Sequence, residues 1–180
     1  MKMIDSDMFL ASLLEGYRAS YDVELNNVQD DELYATAHMH MEQVQNFILK
    51  EFRMSSADSD EYVYIFRMKR LDEEGAKAAI SRAYEDGFPK IKLEHYDFRH
   101  QHMCTRLVAL FVCEKAEDAA LQVIKKCRIQ KSFQFSLKGW MEMHTALIDL
   151  SSGSVTANPL ARETAKYLKM QAAHYLRQQA

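Results

Sequence analysis

The order of elements indicated between residues 61 and 137 constrains this chain more than any other feature of its sequence. Apolar residues recur there at helical spacing in two stretches, and strand-like runs flank each stretch. The resulting order is strand, helix, strand, strand, helix, strand, which is the split βαβ or ferredoxin-like arrangement. We therefore predict an α+β fold with a ferredoxin-like βαββαβ core and an antiparallel sheet. Such folds host many unrelated activities, so this order does not identify a function.

Periodicity and stop signals predict the individual elements. Asp72 is placed to cap the start of a helix, and Gly87 and Pro89 are placed to end it. Asn158 followed by Pro159 predicts the start of the last helix. Polar turns are expected at 55–60 and 99–101. The predicted helices span residues 7–22, 72–86, 116–127 and 159–177. The predicted strands span residues 33–41, 47–54, 62–68, 91–98, 103–114, 133–137, 140–150 and 155–157.

A chain of 180 residues with 48% apolar and 27% charged side chains is typical of one globular domain with a sizeable core. We assign 61–137 to the core of this domain, 1–60 to an N-terminal extension of a helix and strands, and 138–180 to a C-terminal hairpin and helix. A ferredoxin-like sheet carries helices on one face only, so the other face must be covered. The chain's own terminal elements, a ligand or a second copy in a homodimer could each cover it.

Charge and cysteine content exclude several classes of protein. The net charge is −3 with both signs mixed along the chain, so no basic face indicates a nucleic-acid partner. Lys125, Lys126, Arg128 and Lys131 are the densest basic cluster, and they lie at a helix end where cations suit the helix dipole. The apolar run near the N-terminus is too short for a signal peptide or a membrane span. Three cysteines without CxxC spacing favour reduced thiols and a cytoplasmic location.

Histidine-rich stretches raise the possibility of a metal site. On an extended strand His100, His102 and Cys104 share one face, as do His38 and His40, and imidazole and thiolate are zinc ligands. Zinc needs three or four ligands at about 2.0–2.3 Å. Side chains on one strand face start about 6.5–7 Å apart, so consecutive ones rarely converge. We therefore predict no cofactor, and a metal site on these five residues remains the alternative.

A second constellation lies on the strand at 140–150. There Trp140, Glu142 and His144 share one face, and a carboxylate beside an imidazole can perform general acid–base chemistry. The chain has no GxSxG elbow and no glycine-rich phosphate loop, and its cysteines lie in or beside apolar runs. Glu142 and His144 are therefore the candidate catalytic residues.

These patterns favour a non-enzymatic cytoplasmic module that binds a small ligand or a protein partner, with a homodimer as one form. The 11 methionines suit adaptable contact surfaces of this kind. The alternative is a metal-binding protein or an acid–base enzyme centred on the histidine-rich strands.

Overall fold

The computed structural model describes residues 4–29, 31–44, 56–91, 100–135 and 138–178. The described helices are α1 (Ser6–Arg18), α2 (Glu73–Gly87), α3 (Asp118–Lys126) and α4 (Arg162–Gln178), with a short 3-10 helix at Phe88–Lys90. The described strands are β1 (Asp22–Leu25), β2 (Leu33–Val44), β3 (Ser56–Leu71), β4 (His100–Ala116), β5 (Gln130–Ser132), β6 (Trp140–Asp149) and β7 (Ser154–Ala157). Among the described helices, none is both long and apolar enough to cross a membrane.

The described strands form one mixed sheet in the order β1-β2-β3-β4-β6-β5, and β7 pairs with the far end of β6. The β1–β2 and β2–β3 pairs are antiparallel, whereas the β3–β4 and β4–β6 pairs are parallel. Both β5 and β7 run antiparallel to β6. Parallel neighbours need crossover connections, and here α2 joins β3 to β4 and α3 lies on the connection from β4 to β6.

The two crossover helices pack on the same face of the sheet. Helix α2 begins at Asp72, whose side chain accepts a hydrogen bond from the Gly75 amide at 2.8 Å. Its small stripe of Ala76, Ala79 and Ala83 is buried, as the sequence predicts. Small side chains let the helix backbone approach the sheet closely. The same core includes Ala120 and Ile124 of α3.

Helices α1 and α4 cover the opposite face. Their buried side chains join those of the central strands in a second core, with Leu13 of α1 and Leu168 of α4 fully buried. The question that the sequence leaves open is thereby answered, because the chain's own terminal helices cover the second face. The described elements thus form three layers: α2 and α3, the sheet, and α1 and α4.

The ferredoxin-like order is not confirmed. The mixture of helices and strands is as predicted, but the sheet is mixed rather than antiparallel. In that order the strand at 133–137 would lie beside the first strand of the motif, β3. The observed neighbours of β3 are β2 and β4, and the place beside β4 is taken by β6, whose residues after Trp140 are mostly buried.

Four segments differ locally from the prediction. A polar turn is expected at 99–101, but His100 and Gln101 begin β4 and pair with Ser56 and Ala57 of β3. The last helix begins at Arg162 and not at Pro159, because residues 159–161 form a bend and turn in which Asn158 accepts a hydrogen bond from the Ala161 amide.

Residues 56–60, expected to be a polar turn, form the first part of β3, because β2 and β4 pair with them on both sides. Residues 133–135 form a bend and turn rather than a strand, and β5 lies just before them at Gln130–Ser132. The predicted strands at 47–54 and 91–98 fall outside the described residues, except for Ile91, which lies in neither a helix nor a strand.

Candidate functional site

A row of charged side chains crosses the sheet on the face that α1 and α4 cover. In the strand register Glu61 of β3 lies beside Arg106 of β4, and Arg106 lies beside Glu142 of β6. Two residues further along the three strands lie Val63, Val108 and His144, which face α1 and α4. Because side chains on a strand alternate between its two faces, the three charged side chains project the same way. The row lies in the first half of each parallel strand, where the apolar core of this face ends.

This charged row lies in a cleft of about 540 Å³ between the sheet and the two helices. One wall comes from the end of α1 and the turn after it, with Tyr17 and Tyr21, and another comes from α4, with Tyr167. His144, which lies two residues after Glu142 on β6, also lines the cleft. The volume lies in the range of about 300–1,000 Å³ that is usual for small-molecule sites.

Arg106 lies between the two carboxylates without a short hydrogen bond to either. Its Nη1 is 3.6 Å from Glu61 Oε2, and its Nε is 3.7 Å from Glu142 Oε1. Both distances exceed the usual range for N–H···O hydrogen bonds. The side chain of Arg106 is 38% exposed, whereas those of Glu61 and Glu142 are 15% and 17% exposed. Within the described part of the chain, Arg106 is therefore held by charge, and its N–H donors have no short hydrogen bond that a ligand would have to displace.

Each carboxylate has a second partner that fixes its position. The Tyr21 hydroxyl donates a hydrogen bond to Glu61 Oε1 at 2.8 Å. His144 Nε2 is 2.8 Å from Glu142 Oε1, and the His144 side chain is almost buried. Burial, together with the charge and hydrogen bonding of Glu61, raises the pKa of Tyr21 well above its ordinary value. The Tyr21 hydroxyl therefore stays protonated and acts as a donor near neutral pH.

Three tyrosines form the aromatic wall of the cleft. The ring of Tyr17 meets those of Tyr21 and Tyr167 edge to face, with centroids 4.9 and 5.6 Å apart. The Tyr167 hydroxyl lies over Gly16, where a Cβ atom would be only 1.8 Å away. That hydroxyl is buried without a hydrogen-bond partner among the described residues, although the Gln171 side chain faces it. Because it is shielded from solvent and packed over Gly16, this hydroxyl belongs to the contact between α1 and α4 and not to the open part of the cleft.

Cys104 lies on the same face of the sheet, next to Trp140 in the strand register. It is buried, and burial, with the charge of Glu142, raises the pKa of its thiol to about 12. A thiol of this kind is a poor nucleophile and a poor metal ligand, because both roles require the thiolate.

The structure separates Cys104 from two of the histidines predicted with it. His38 and His40 project from the opposite face of β2, where His38 Nε2 and His40 Nδ1 lie 2.9 and 3.0 Å from the same oxygen of Asp60. His38 also stacks on the ring of Tyr62. His100 and His102 lie in β4, but their side chains fall outside the described part. Among the described residues, no three ligand-type side chains are placed to hold a metal ion.

The structure brings Glu142 and His144 together as the sequence spacing predicts, but the sequence analysis missed their partners. Arg106 interrupts the apolar strand predicted at 103–114, and a single charge inside such a run is the signal that could have found it. Glu61 follows Asp60 at the end of an acidic stretch and carries no such signal. Tyr21 and Tyr167 belong to the predicted apolar helices, where they resemble ordinary core residues. Their role depends on how the helices pack.

Comparisons with known proteins place this site in a family without assigning its activity. No match is found among curated proteins or among solved structures. A family model described as a domain of unknown function, DUF8052, matches residues 5–170, which include every residue of the cleft. The chain therefore belongs to the DUF8052 family.

Proposed function

We propose that this protein is a binding module for a small polar ligand and that the cleft beside Arg106 is its binding site. The observation that carries the proposal is the Glu61–Arg106–Glu142 row in a cleft of suitable size. Removing carboxylates from water is unfavourable unless close pairing offsets it. Here Tyr21 and His144 pair with the two carboxylates at 2.8 Å, but the ion pairs with Arg106 stay at 3.6 and 3.7 Å, so Arg106 itself is poorly placed to stabilise the fold.

The site also has the rigidity that a binding site requires. Strands hold the three charged side chains at fixed spacing, and Tyr21 and His144 orient the two carboxylates. A ligand would meet groups that are already in place, so less conformational entropy is lost on binding.

A thermal-unfolding screen of small polar metabolites tests this proposal. A ligand at a hundred times its Kd stabilises the folded protein by about 2.7 kcal/mol, which raises Tm by about 5–10 °C for a chain of this size. We expect at least one compound to do so for the unmodified protein and for Arg70→Gln, a change in an exposed ion pair with Glu117. The same compound should have a much smaller effect on Arg106→Gln. Equal stabilisation of both variants would contradict the proposed site, as would a screen without any effect.

Acid–base catalysis at the same site is the second candidate, and the hydrogen bond between Glu142 and His144 favours it. In the neutral tautomer of His144 that donates through Nε2 to Glu142, Nδ1 carries the lone pair that can accept a proton. Incubating the bound compound with protein and following it by mass spectrometry separates the two functions. Conversion that disappears in His144→Ala while binding persists would indicate an enzyme, and no conversion by the unmodified protein would indicate a binding module.

The remaining expectations from the sequence stay proposals. All three cysteines are free in the described part of the chain, which supports a reducing, cytoplasmic location. A homodimer or protein partner is tested by size-exclusion light scattering. The metal-binding alternative is tested by elemental analysis of the purified protein, and near-stoichiometric zinc that is lost in His102→Ala together with stability would support it.

A further inference from the structure

We propose that the ligand of the cleft is a free amino acid with a basic side chain, such as lysine or arginine. This inference rests on the proposed function, because it concerns the same site. It follows from the order of charges in the row, from the tyrosine wall and from the scarcity of other cations in the cleft.

The charge order is negative, positive, negative across β3, β4 and β6. The complement is a ligand with two cationic groups and one carboxylate, which is the charge pattern of a basic amino acid. Adjacent strands lie about 4.8 Å apart, so the row spans about 10 Å between the backbones of its outer strands. The side chains of Glu61 and Glu142 lean toward Arg106 within that span. The α-ammonium and the side-chain cation can therefore each face a carboxylate while the ligand carboxylate faces Arg106.

Arg106 is suited to the ligand carboxylate. A guanidinium binds a carboxylate through two parallel N–H···O hydrogen bonds. Glu61 and Glu142 do not form short hydrogen bonds with Arg106, and each already has another hydrogen-bond partner. A ligand carboxylate would therefore not have to displace an existing short bond.

The aromatic wall suits the cationic end and its aliphatic stem. Ring faces attract ammonium and guanidinium groups, and their carbon surface covers methylene groups.

Other classes of small ligand fit the charges less well. Arg106 is the one lysine or arginine among the described residues that line the cleft. A phosphate or a dicarboxylate would therefore face Glu61 and Glu142 with one guanidinium to bind it, because His144, the other basic side chain of the described lining, is hydrogen-bonded to Glu142. Glu163 adds a third carboxylate at the rim, but it is exposed and paired with Lys166. A simple diamine would satisfy both glutamates but would leave Arg106 without a partner and next to another cation.

Isothermal titration calorimetry at constant ionic strength tests the inference with matched compounds. L-lysine and L-arginine should bind, whereas their decarboxylated forms, cadaverine and agmatine, should bind at least about tenfold more weakly, a difference of about 1.4 kcal/mol. L-glutamate should not bind measurably. Equal binding of cadaverine and lysine would refute the role of Arg106, and binding of glutamate would refute the charge argument.

Substitutions test whether lysine binds in the cleft. Glu142→Gln should weaken lysine binding by about tenfold or more, because a charge-assisted hydrogen bond is lost. The control Glu117→Gln, which removes a carboxylate from an exposed ion pair with Arg70, should bind as the unmodified protein does. Circular dichroism verifies folding of each variant. If Glu142→Gln does not fold, Arg106→Lys keeps the charge but removes the bidentate geometry, and it should also weaken binding.

The outcomes separate this inference from the proposed function. If no basic amino acid binds but the metabolite screen finds another compound that is sensitive to Arg106→Gln, the ligand class is wrong and the site stands. If neither experiment finds a ligand that depends on Arg106, both proposals fail.

Discussion

Asn158 lies in the segment between β7 and α4 and forms hydrogen bonds with β6, with the end of α3 and with the turn before α4. Its replacement by alanine should destabilise the fold strongly. The residue is 2% exposed. Its Oδ1 accepts hydrogen bonds from the amides of Thr145 and Ala161 at 3.3 and 3.0 Å. Its Nδ2 donates to the carbonyls of Met143 and Cys127 at 2.9 and 3.2 Å. All four hydrogen-bonding positions of the amide are therefore used.

The size of the effect follows from these four bonds. A typical intramolecular hydrogen bond contributes about 0.5–1.5 kcal/mol, and a buried partner that is left unpaired adds a penalty. Two of the bonds are longer than 3.1 Å, so we expect Asn158→Ala to lower the free energy of unfolding by about 2–4 kcal/mol. That is a large part of the stability of about 5–15 kcal/mol that most folded domains have.

Urea denaturation measures this effect, with circular dichroism as the probe and the slope of the transition as a check on two-state behaviour. Asn158→Asp is the matched variant: it keeps the acceptors and the shape but replaces the donating amide with an oxygen facing two carbonyls. It should be destabilised as well, and more so at pH 7 than at pH 4, because the charged form of the new carboxyl is the less favourable one. A loss below about 0.5 kcal/mol for Asn158→Ala would refute the reasoning, because it is smaller than one ordinary hydrogen bond.

Three further predictions concern packing and charge. Ala79→Leu should overpack the contact between α2 and the sheet and lower stability by about 1–3 kcal/mol, which an unchanged Tm would contradict. Leu168→Ala should cost about 2–5 kcal/mol because Leu168 is fully buried, and urea denaturation would show a smaller loss if α4 were an appendage. The hydrogen-bonded Arg82 guanidinium lowers the pKa of Asp31 below its ordinary value of 3.8. The pair therefore stabilises the fold fully above about pH 4, and its contribution decreases as the pH falls further. The difference in Tm between the unmodified protein and Arg82→Ala should therefore narrow from pH 6 to pH 3, and a constant difference would contradict this.

Elements with strong local signals could be predicted from the sequence. The Asp72 cap and the alanine stripe define α2 almost to the residue, because local hydrogen bonds and periodicity agree there. The alternating residues of β2 likewise define a strand whose two faces meet different surroundings.

The segment after β5 shows why alternation alone misleads. Phe133, Phe135 and Leu137 alternate with polar residues, which predicts a strand with one buried face. In the structure Phe135 is 99% exposed, and Gln134 and Phe135 have φ angles of 47° and 53°, in the left-handed region. A strand cannot form through that backbone conformation. The deciding factor is the neighbouring strand, since β6 provides pairing for Gln130–Ser132 and not for the residues after them.

Only the part of the site that lies on a single strand could be predicted from the sequence. The i, i+2 spacing of Glu142 and His144 places both on one face of β6 whatever the fold is. Bringing Glu61 and Arg106 beside them requires the parallel order β3-β4-β6, which is set by crossover helices and by pairing between distant segments. Tyr21 and Tyr167 join through packing between α1 and α4, and that contact carries no local sequence signal.

An amide chemical-shift titration of the 15N-labelled protein with L-lysine tests the central claim most directly, because it shows whether the compound binds and where. The account predicts saturable shifts that cluster at Glu61, Arg106, Glu142 and His144 and at the tyrosines of α1 and α4. Cadaverine should produce much smaller shifts at the same concentrations. Saturable lysine shifts confined to α2 and α3 on the opposite face of the sheet, or the absence of saturable shifts at the charged row, would contradict the account.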